Sequence, residues 1–421
     1  MHLARLLATT LALAAVPAAF GQDSQPISVP TPLPQLLAEA SANNPEISAA
    51  SHDWQAAKDV PRQVTALPDP TFTYQQLSVG SPKPFAGYTN NNFSYVGIGA
   101  SQDLPYPGKL RLRGAVAQRE ADVKKTEIDA TQATVADAVK ADYLQLAYLQ
   151  KTLGILTENQ HVLDQLLQNA TAHYAVGQGQ QADVLQAQVE RTKVVREITL
   201  RREQAGQIEA HLKGLLHRDQ DSPDIAAEDM TESPLRFTSA ELLQMVRGHN
   251  PQVQVDARAV SKEDAALASA KREGKPDFNL AYMYQNTDRK YPDYYMFTFN
   301  VRLPRRGRVH AGIAEASEKL AQSKDALDAH LQQQLAAAKQ DYVAASSDSE
   351  LLKEYSDGLI PQSDAAYRTA LNSYASNKEE FAHVLLYFMN VLKLRLDYAQ
   401  TLAEHETALA HLETLTGATL R

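Results

Sequence analysis

The chain has 421 residues, a formal charge of −9 and no cysteine, which excludes disulfides and thiolate chemistry and leaves no basic footprint for a nucleic acid. Gly (18) and Pro (20) are few and clustered, and the long intervals between them are rich in Ala, Leu, Gln, Glu and Lys, which favour helix. Long helices are expected, rather than the roughly three compact domains that length alone suggests.

The first 21 residues read as a secretory signal. Arg5 is followed by an apolar run over 6–16 and the small-x-small site Ala19-Phe20-Gly21; that run is about half of the ~20 residues a spanning helix needs. No other stretch is apolar enough to span as a helix, and there is no cysteine to carry an N-terminal lipid. The chain is expected to leave the cytoplasm by way of a cleaved signal and to carry no transmembrane helix.

From residue 22 onward one series of landmarks occurs twice. Asn44-Pro45 is answered by Asn250-Pro251, Pro68-Asp69 by Pro276-Asp277, and Leu104-Pro105 with Gly108 by Leu303-Pro304 with Gly307. Tyr174, Gly177, Val184, Leu185 and Ala210-His211-Leu212 recur 200 residues later as Tyr374, Asn377, Val384, Leu385 and Ala410-His411-Leu412. This is a duplicated unit, divided as a first repeat over 22–217, an inter-repeat segment over 218–236 and a second repeat over 237–421.

Each repeat reads as helix, β-hairpin, long helix, turn, helix. The first gives a helix over 33–66, a hairpin over 71–103, a proline-free helix from Gly108 to about Ala172, a tip near 173–181 and a return helix over 182–217. The second gives a helix over 239–275, a hairpin over 278–303, a helix from Gly307 to about Asn372 that Pro361 should kink, a tip near 373–381 and a return over 382–416. A 65-residue arm is about 97 Å long and its 36-residue return about 54 Å, so the two shorter helices of each repeat should stack end to end beside the long one. Leu146, Leu149, Leu153, Leu156, Leu163, Leu167 and Ala170 form a coiled-coil seam, and Leu385, Met389, Leu392, Leu396, Ala399 and Ala403 keep the same rhythm.

In the second hairpin Phe278, Leu280, Tyr282 and Tyr284 alternate with Asp277, Asn279, Ala281 and Met283. Tyr295, Phe297, Phe299, Val301 and Leu303 alternate likewise, at the length of an outer-membrane strand. The first hairpin is less regular, and Tyr88, Phe93, Tyr95, Tyr291 and Tyr294 suit interfacial girdles. Four strands cannot close a membrane barrel, so copies must combine, two giving eight strands and three giving twelve.

With the duplicated unit, the YAVGQGQQADVLQAQ tip, the Asn-Pro pairs and the LPYPGKLRLRGAVA stretch in view, the chain resembles the TolC-type outer membrane factors of tripartite efflux systems, and in that last stretch their CzcC-like heavy-metal branch. The resemblance implies a mainly α fold with a membrane β-barrel portion: duplicated long antiparallel coiled-coil helices forming a trimeric α-barrel, and four β-strands per chain contributing to a 12-stranded barrel. It further implies a homotrimer in outer-membrane lipid that works with a periplasmic adaptor and an inner-membrane pump, an equatorial region built from the inter-repeat segment and the chain ends, and no enzymatic activity.

The same resemblance marks Asp183, Tyr374, Lys378, Glu379, Glu380 and His383 as gate candidates. Glu379 stands where the family favours Arg, which removes the simplest salt-bridge latch to Asp183. Gly177, Val184, Leu185, Asn377, Val384 and Leu385 are the adaptor-contact candidates. The implied cargo is divalent heavy-metal cations, with drugs, organic compounds or polypeptides as the alternative; a periplasmic coiled-coil scaffold or adaptor is the reading from another class. No catalytic motif, cofactor motif or metal-ligand spacing is found, and the histidines are scattered.

Overall fold

A computed structural model describes residues 30–80, 82–85, 94–287, 291–376 and 378–420. The signal segment, Tyr88, Phe93 and Asn377 lie outside the described residues. The first repeat comprises α1 (Leu33–Asn43), α2 (Pro45–Thr65), β1 (Thr71–Leu77), β2 (Tyr95–Leu104), α3 (Lys109–Ala175) and α4 (Gln181–Leu215). The second comprises α5 (Ser239–His249), α6 (Pro251–Arg272), β3 (Asp277–Asn286), β4 (Tyr294–Arg302), α7 (Arg306–Glu354), α8 (Ile360–Ala375) and α9 (Phe381–Thr416).

The single helices expected over 33–66 and 239–275 are each two helices, broken at Asn44 and Asn250. A residue before proline is pushed out of the α region, and both asparagines sit at extended ψ, 125° and 123°. Each asparagine then does two jobs. Its side-chain oxygen accepts from the next helix, Asn44 from the Glu46 N–H at 2.8 Å and Asn250 from the Val253 N–H at 3.0 Å, which satisfies an otherwise orphaned donor. Its amide donates to the end of a different helix, Asn44 to the Leu215 carbonyl at 2.9 Å and Asn250 to the Leu415 carbonyl at 3.0 Å.

Those two carbonyls are the last turns of α4 and α9. The joints therefore set α2 on the end of α4 and α6 on the end of α9, and the paired stacks run beside α3 and α7. The end-to-end arrangement is as the lengths require, with α1 and α5 turned aside. Leu36 and Ala40 of α1 pack on Val139, Tyr143 and Leu212; Leu242 and Val246 of α5 pack on Leu335, Ala338 and Leu412. Pro361 perturbs its helix as expected, because it lacks an N–H and crowds the preceding turn. The chain answers with a π turn, Tyr355–Leu359, just before it.

Among the described residues the strands form one antiparallel sheet in the order β1-β2-β3-β4. The register pairs Tyr282 with Phe297, Leu280 with Phe299 and Phe278 with Val301, and continues across Ala100 to Tyr282 and Phe72 to Ala100. One face thus gathers Phe72, Tyr74, Ile98, Tyr282, Phe297 and Phe299, all exposed. The other carries Thr73, Gly99, Ala281 and Thr298. The irregular phase in β1 arises because Leu77, opposite Tyr95, sits on the second face. β1 and β4 are open edges within the chain.

The stretch LPYPGKLRLRGAVA builds the junction between sheet and helices. Gly108 caps α3 at φ 93°, a conformation that costs a side-chain-bearing residue. Arg272 donates to the Pro107 carbonyl at 2.7 Å and lies over the Tyr106 ring. Lys109 is 2% exposed and is held by Asp277 at 2.9 Å and Glu273 at 3.3 Å. Gly307, the counterpart of Gly108, lies inside α7 without positive φ, so this junction is made once.

The inter-repeat segment straps the middle of the molecule. Ile225 is buried, and its carbonyl and the Ala227 N–H close a pair of bonds on Gln150. Buried His405 reaches the Ala345 carbonyl with Nδ1 and the Ser233 carbonyl with Nε2, at 2.9 and 2.8 Å. Glu406 accepts from the Ser233 N–H and hydroxyl. His405 and Glu406 thus tie the strap at Ser233 together. Among the described residues no helix is long and apolar enough to cross a membrane.

Candidate functional site

At the end of the coiled coils away from the sheet, α3 turns into α4 and α8 into α9. The two turns share one backbone bond. The Gln178 N–H reaches the His173 carbonyl at 2.9 Å and the Gly177 N–H reaches the Tyr174 carbonyl at 3.0 Å, with Gly177 at φ 75°, the paired bonds of a helix end closed by a left-handed residue. In the second tip the Lys378 N–H reaches the Ser373 carbonyl at 2.9 Å, two hundred residues on.

The side chains do not follow the repeat. Tyr174 is 48% exposed and Leu185 53%, whereas Tyr374 is 9% and Leu385 2%. Tyr374, Val384 and Leu385 belong to an apolar core shared by the two tips, with Leu163, Leu166, Ala170 and Phe381. The seam residues Leu149, Leu156, Leu163 and Ala170 are buried as the spacing requires. Val384 and Leu385 therefore work as core in this conformation, while the first tip offers Tyr174, Val176 and Leu185 to the outside and keeps Val184 half-buried.

Four of the six gate candidates, Asp183, Tyr374, Glu379 and Glu380, line a cleft of about 650 Å³ between the tips, and Lys378 and His383 do not. Asp183 accepts from the Gln180 N–H at 3.1 Å and so closes the first turn of its own helix. Glu379 turns to His383 at 2.6 Å on the next turn. That bond pulls the Glu379 carboxyl below its ordinary range and pushes the His383 imidazole above its own. Lys378, the basic residue beside Glu379, does not restore the latch: among the described residues it forms no ion pair, and neither do Asp183 and Glu380.

What joins the tips is aromatic. Tyr374 stacks on His173 with centroids 4.9 Å apart and meets Phe381 edge-on at 5.6 Å, contacts worth about 0.5–1.5 kcal/mol each beyond area. Its hydroxyl is buried and has no hydrogen-bond partner among the described residues. Burial first, and then the Asp183 charge, push the phenol above its ordinary value. Sequence reasoning found Tyr374 and missed His173 and Phe381, for which it offered only adjacency to the tip motif.

Residues 36–217 match the family model described as outer membrane efflux protein, a span that covers less than half of the chain. No curated protein matches the sequence. Among solved structures, the outer-membrane channel OprN is similar at 16% identity, covering 92% of this chain and 90% of that one, with a TM-score of 0.79. VceC, an outer membrane protein of Vibrio cholerae, is similar at 17% identity over 92% and 97%, with a TM-score of 0.78. The fold is that of outer-membrane channels. The open state of the Neisseria gonorrhoeae MtrE channel shares it at a TM-score of 0.75, with 16% identity over 92% of this chain and 89% of that one. These likenesses cover both repeats, so the second half has the same architecture although the family model stops at residue 217.

Proposed function

We propose that the chain is the outer-membrane exit duct of a tripartite efflux pump, a passive channel built from three copies and driven by an inner-membrane pump through a periplasmic adaptor. One observation carries this: a four-stranded sheet with a bare apolar face and two open edges crowns long helices that pack on one another through buried clusters. Unpaired edges in lipid cost several kcal/mol per backbone group, so the sheet must be completed by other copies, and three give twelve strands. A periplasmic scaffold or adaptor has no use for such a face. The purified protein should need detergent, run as a trimer and conduct in planar bilayers; a detergent-free monomer without conductance refutes the proposal.

Asp183, Tyr374, Lys378, Glu379, Glu380 and His383 serve as the gate in this reading, and Gly177, Val184, Leu185 and Asn377 meet the adaptor. Val384 and Leu385 support that surface from within. Divalent heavy-metal cations are the assigned cargo, on the resemblance of LPYPGKLRLRGAVA to the heavy-metal branch. Because Gly108 and Lys109 of that stretch serve a structural junction, the assignment is tested genetically. Deletion should sensitise cells to divalent metals, and sensitisation to organic compounds instead transfers the assignment to drugs.

A further inference from the structure

We infer that the belt of cations where the sheet passes into the helices binds the headgroups of anionic phospholipids, an inference that rests on the proposed place of the bare sheet face in a membrane. The chain as a whole carries −9, yet residues 104–119 and 294–314 contain no Asp or Glu and four Lys or Arg each. The first stretch leads from β2 into α3 and the second from β4 into α7, while Lys275 stands on the crossing from α6 into β3. These crossings share one level of the molecule. Lys109 of α3 pairs with Asp277 at the start of β3, Arg302 at the end of β4 stands opposite Asp277 in the sheet, and a side chain on Gly274 would meet Val309 of α7 at 3.2 Å.

Some of these cations already have work. Lys109, Arg113 and Arg272 are taken up by the junction, and Arg302 reaches Asp103 at 3.8 Å. Arg111, Lys275, Arg305, Arg306 and Arg308 are exposed and form no ion pair among the described residues. Arg111, Arg306 and Arg308 moreover stand in the opening turns of α3 and α7, neither of which has an acidic residue in its first turn. The positive end of a helix dipole disfavours cations at such positions, so an anion from outside the chain supplies what they lack. The adjoining surface selects the anion. Phe299, Val301 and Leu303, which lead straight into Arg305, are 54%, 46% and 75% exposed. An apolar surface ending in a basic rim suits acyl chains below charged headgroups, and each guanidinium offers a phosphate a fork of donors.

To test the belt, the detergent-solubilised full chain is reconstituted into vesicles of equal parts phosphatidylcholine and phosphatidylglycerol, floated on a density gradient, and released into neutral detergent for native mass spectrometry. Phosphatidylglycerol should stay bound in about tenfold excess over phosphatidylcholine or more. Inorganic phosphate should displace it no better than chloride at equal ionic strength. Arg305 makes no side-chain cap on α7, and neither it nor Arg306 nor Arg308 holds an ion pair, so R305Q/R306Q/R308Q should fold; it should bring the two lipids near parity. R202Q/K324Q/K393Q, which removes the same charge from exposed positions elsewhere on the helices, should keep the excess. Parity in the wild type, an undiminished excess in R305Q/R306Q/R308Q, or displacement by phosphate in preference to chloride overturns the belt, while flotation still reports the sheet in the bilayer. A wild-type chain that does not float overturns the belt and the membrane reading together.

Discussion

Replacing Asn250 separates the two jobs of the interhelical joint. Asn250→Ala removes the acceptor for the Val253 N–H and the donor to the Leu415 carbonyl. Loss of a cap costs about 1 kcal/mol, and a carbonyl left without its partner about another 1 kcal/mol, at the low end because Leu415 is half-buried. The two sum to about 2 kcal/mol, roughly a 30-fold change in a local opening equilibrium. Asn250→Asp keeps the cap and turns a carboxylate toward the Leu415 carbonyl, so it should lose the second contribution and retain the first. Hydrogen exchange followed by mass spectrometry reads both: N250A should speed exchange in the first turn of α6 and the last turn of α9, and N250D chiefly in α9. Asn44→Ala should produce the matching effect at α2 and α4, adding to the first because the two sites share no partner. Exchange in N250A within threefold of wild type would refute the joint, and equal behaviour of N250D and N250A would refute the division of labour.

Lys109→Met leaves Asp277 and Glu273 without their buried cation; about 3 kcal/mol should be lost, seen as a lower thermal midpoint, whereas Arg113→Met removes only an exposed pair to Glu273 and should cost under about 1 kcal/mol. His411 is held by Asp137 at 3.1 Å, whose hydrogen bond raises the imidazole above its ordinary value against the opposing effect of burial; Asp341 of α7 also raises it and Lys140 opposes. A group raised on folding stabilises below its unfolded value and ceases to do so as pH rises through the folded value. The thermal advantage of the wild type over His411→Gln should therefore be largest below about pH 6.5 and shrink on the alkaline side; a constant difference over that window refutes the tie. Phe297→Lys puts a charge on the bare sheet face and should reduce outer-membrane insertion by about 2–4 kcal/mol, while Thr298→Lys on the second face should be tolerated; fractionation of both variants decides. Tyr374→Ala removes the ring that stacks on His173 and should raise single-channel conductance, an effect that unchanged conductance would disprove.

Much of this architecture is legible in the residues. The seam over Leu146 to Ala170 selects the buried stripe, and alternation in β3 and β4 locates the apolar face. The Asn-Pro pairs were visible as landmarks, yet composition ran a helix through them, because propensity summed over 30 residues outweighs one local break unless the capping geometry is considered. Burial in the tips was not legible. Tyr174 and Tyr374 occupy one place in the repeat, and only tertiary packing sends the second into the core. Lys109 was hidden for a related reason: its partners lie more than 160 residues away, and a lysine near a helix start looks exposed until Asp277 and Glu273 arrive beside it. The aromatic joint of His173, Tyr374 and Phe381 depends on two hairpins meeting, which no local window contains.

The sheet also constrains the order in which the molecule can mature. The helical clusters draw their members from within one chain and can consolidate as soon as that chain has crossed into an aqueous compartment. The sheet cannot: with β1 and β4 both unpaired, a solitary subunit carries two sticky borders beside a greasy surface. Folding of a solitary chain would thus yield packed helical hairpins with an unfinished crown. If copies complete the sheet as proposed, the last step of biogenesis is their meeting at the bilayer, where a holdase that shields Phe72, Phe297 and Phe299 meanwhile would govern the yield.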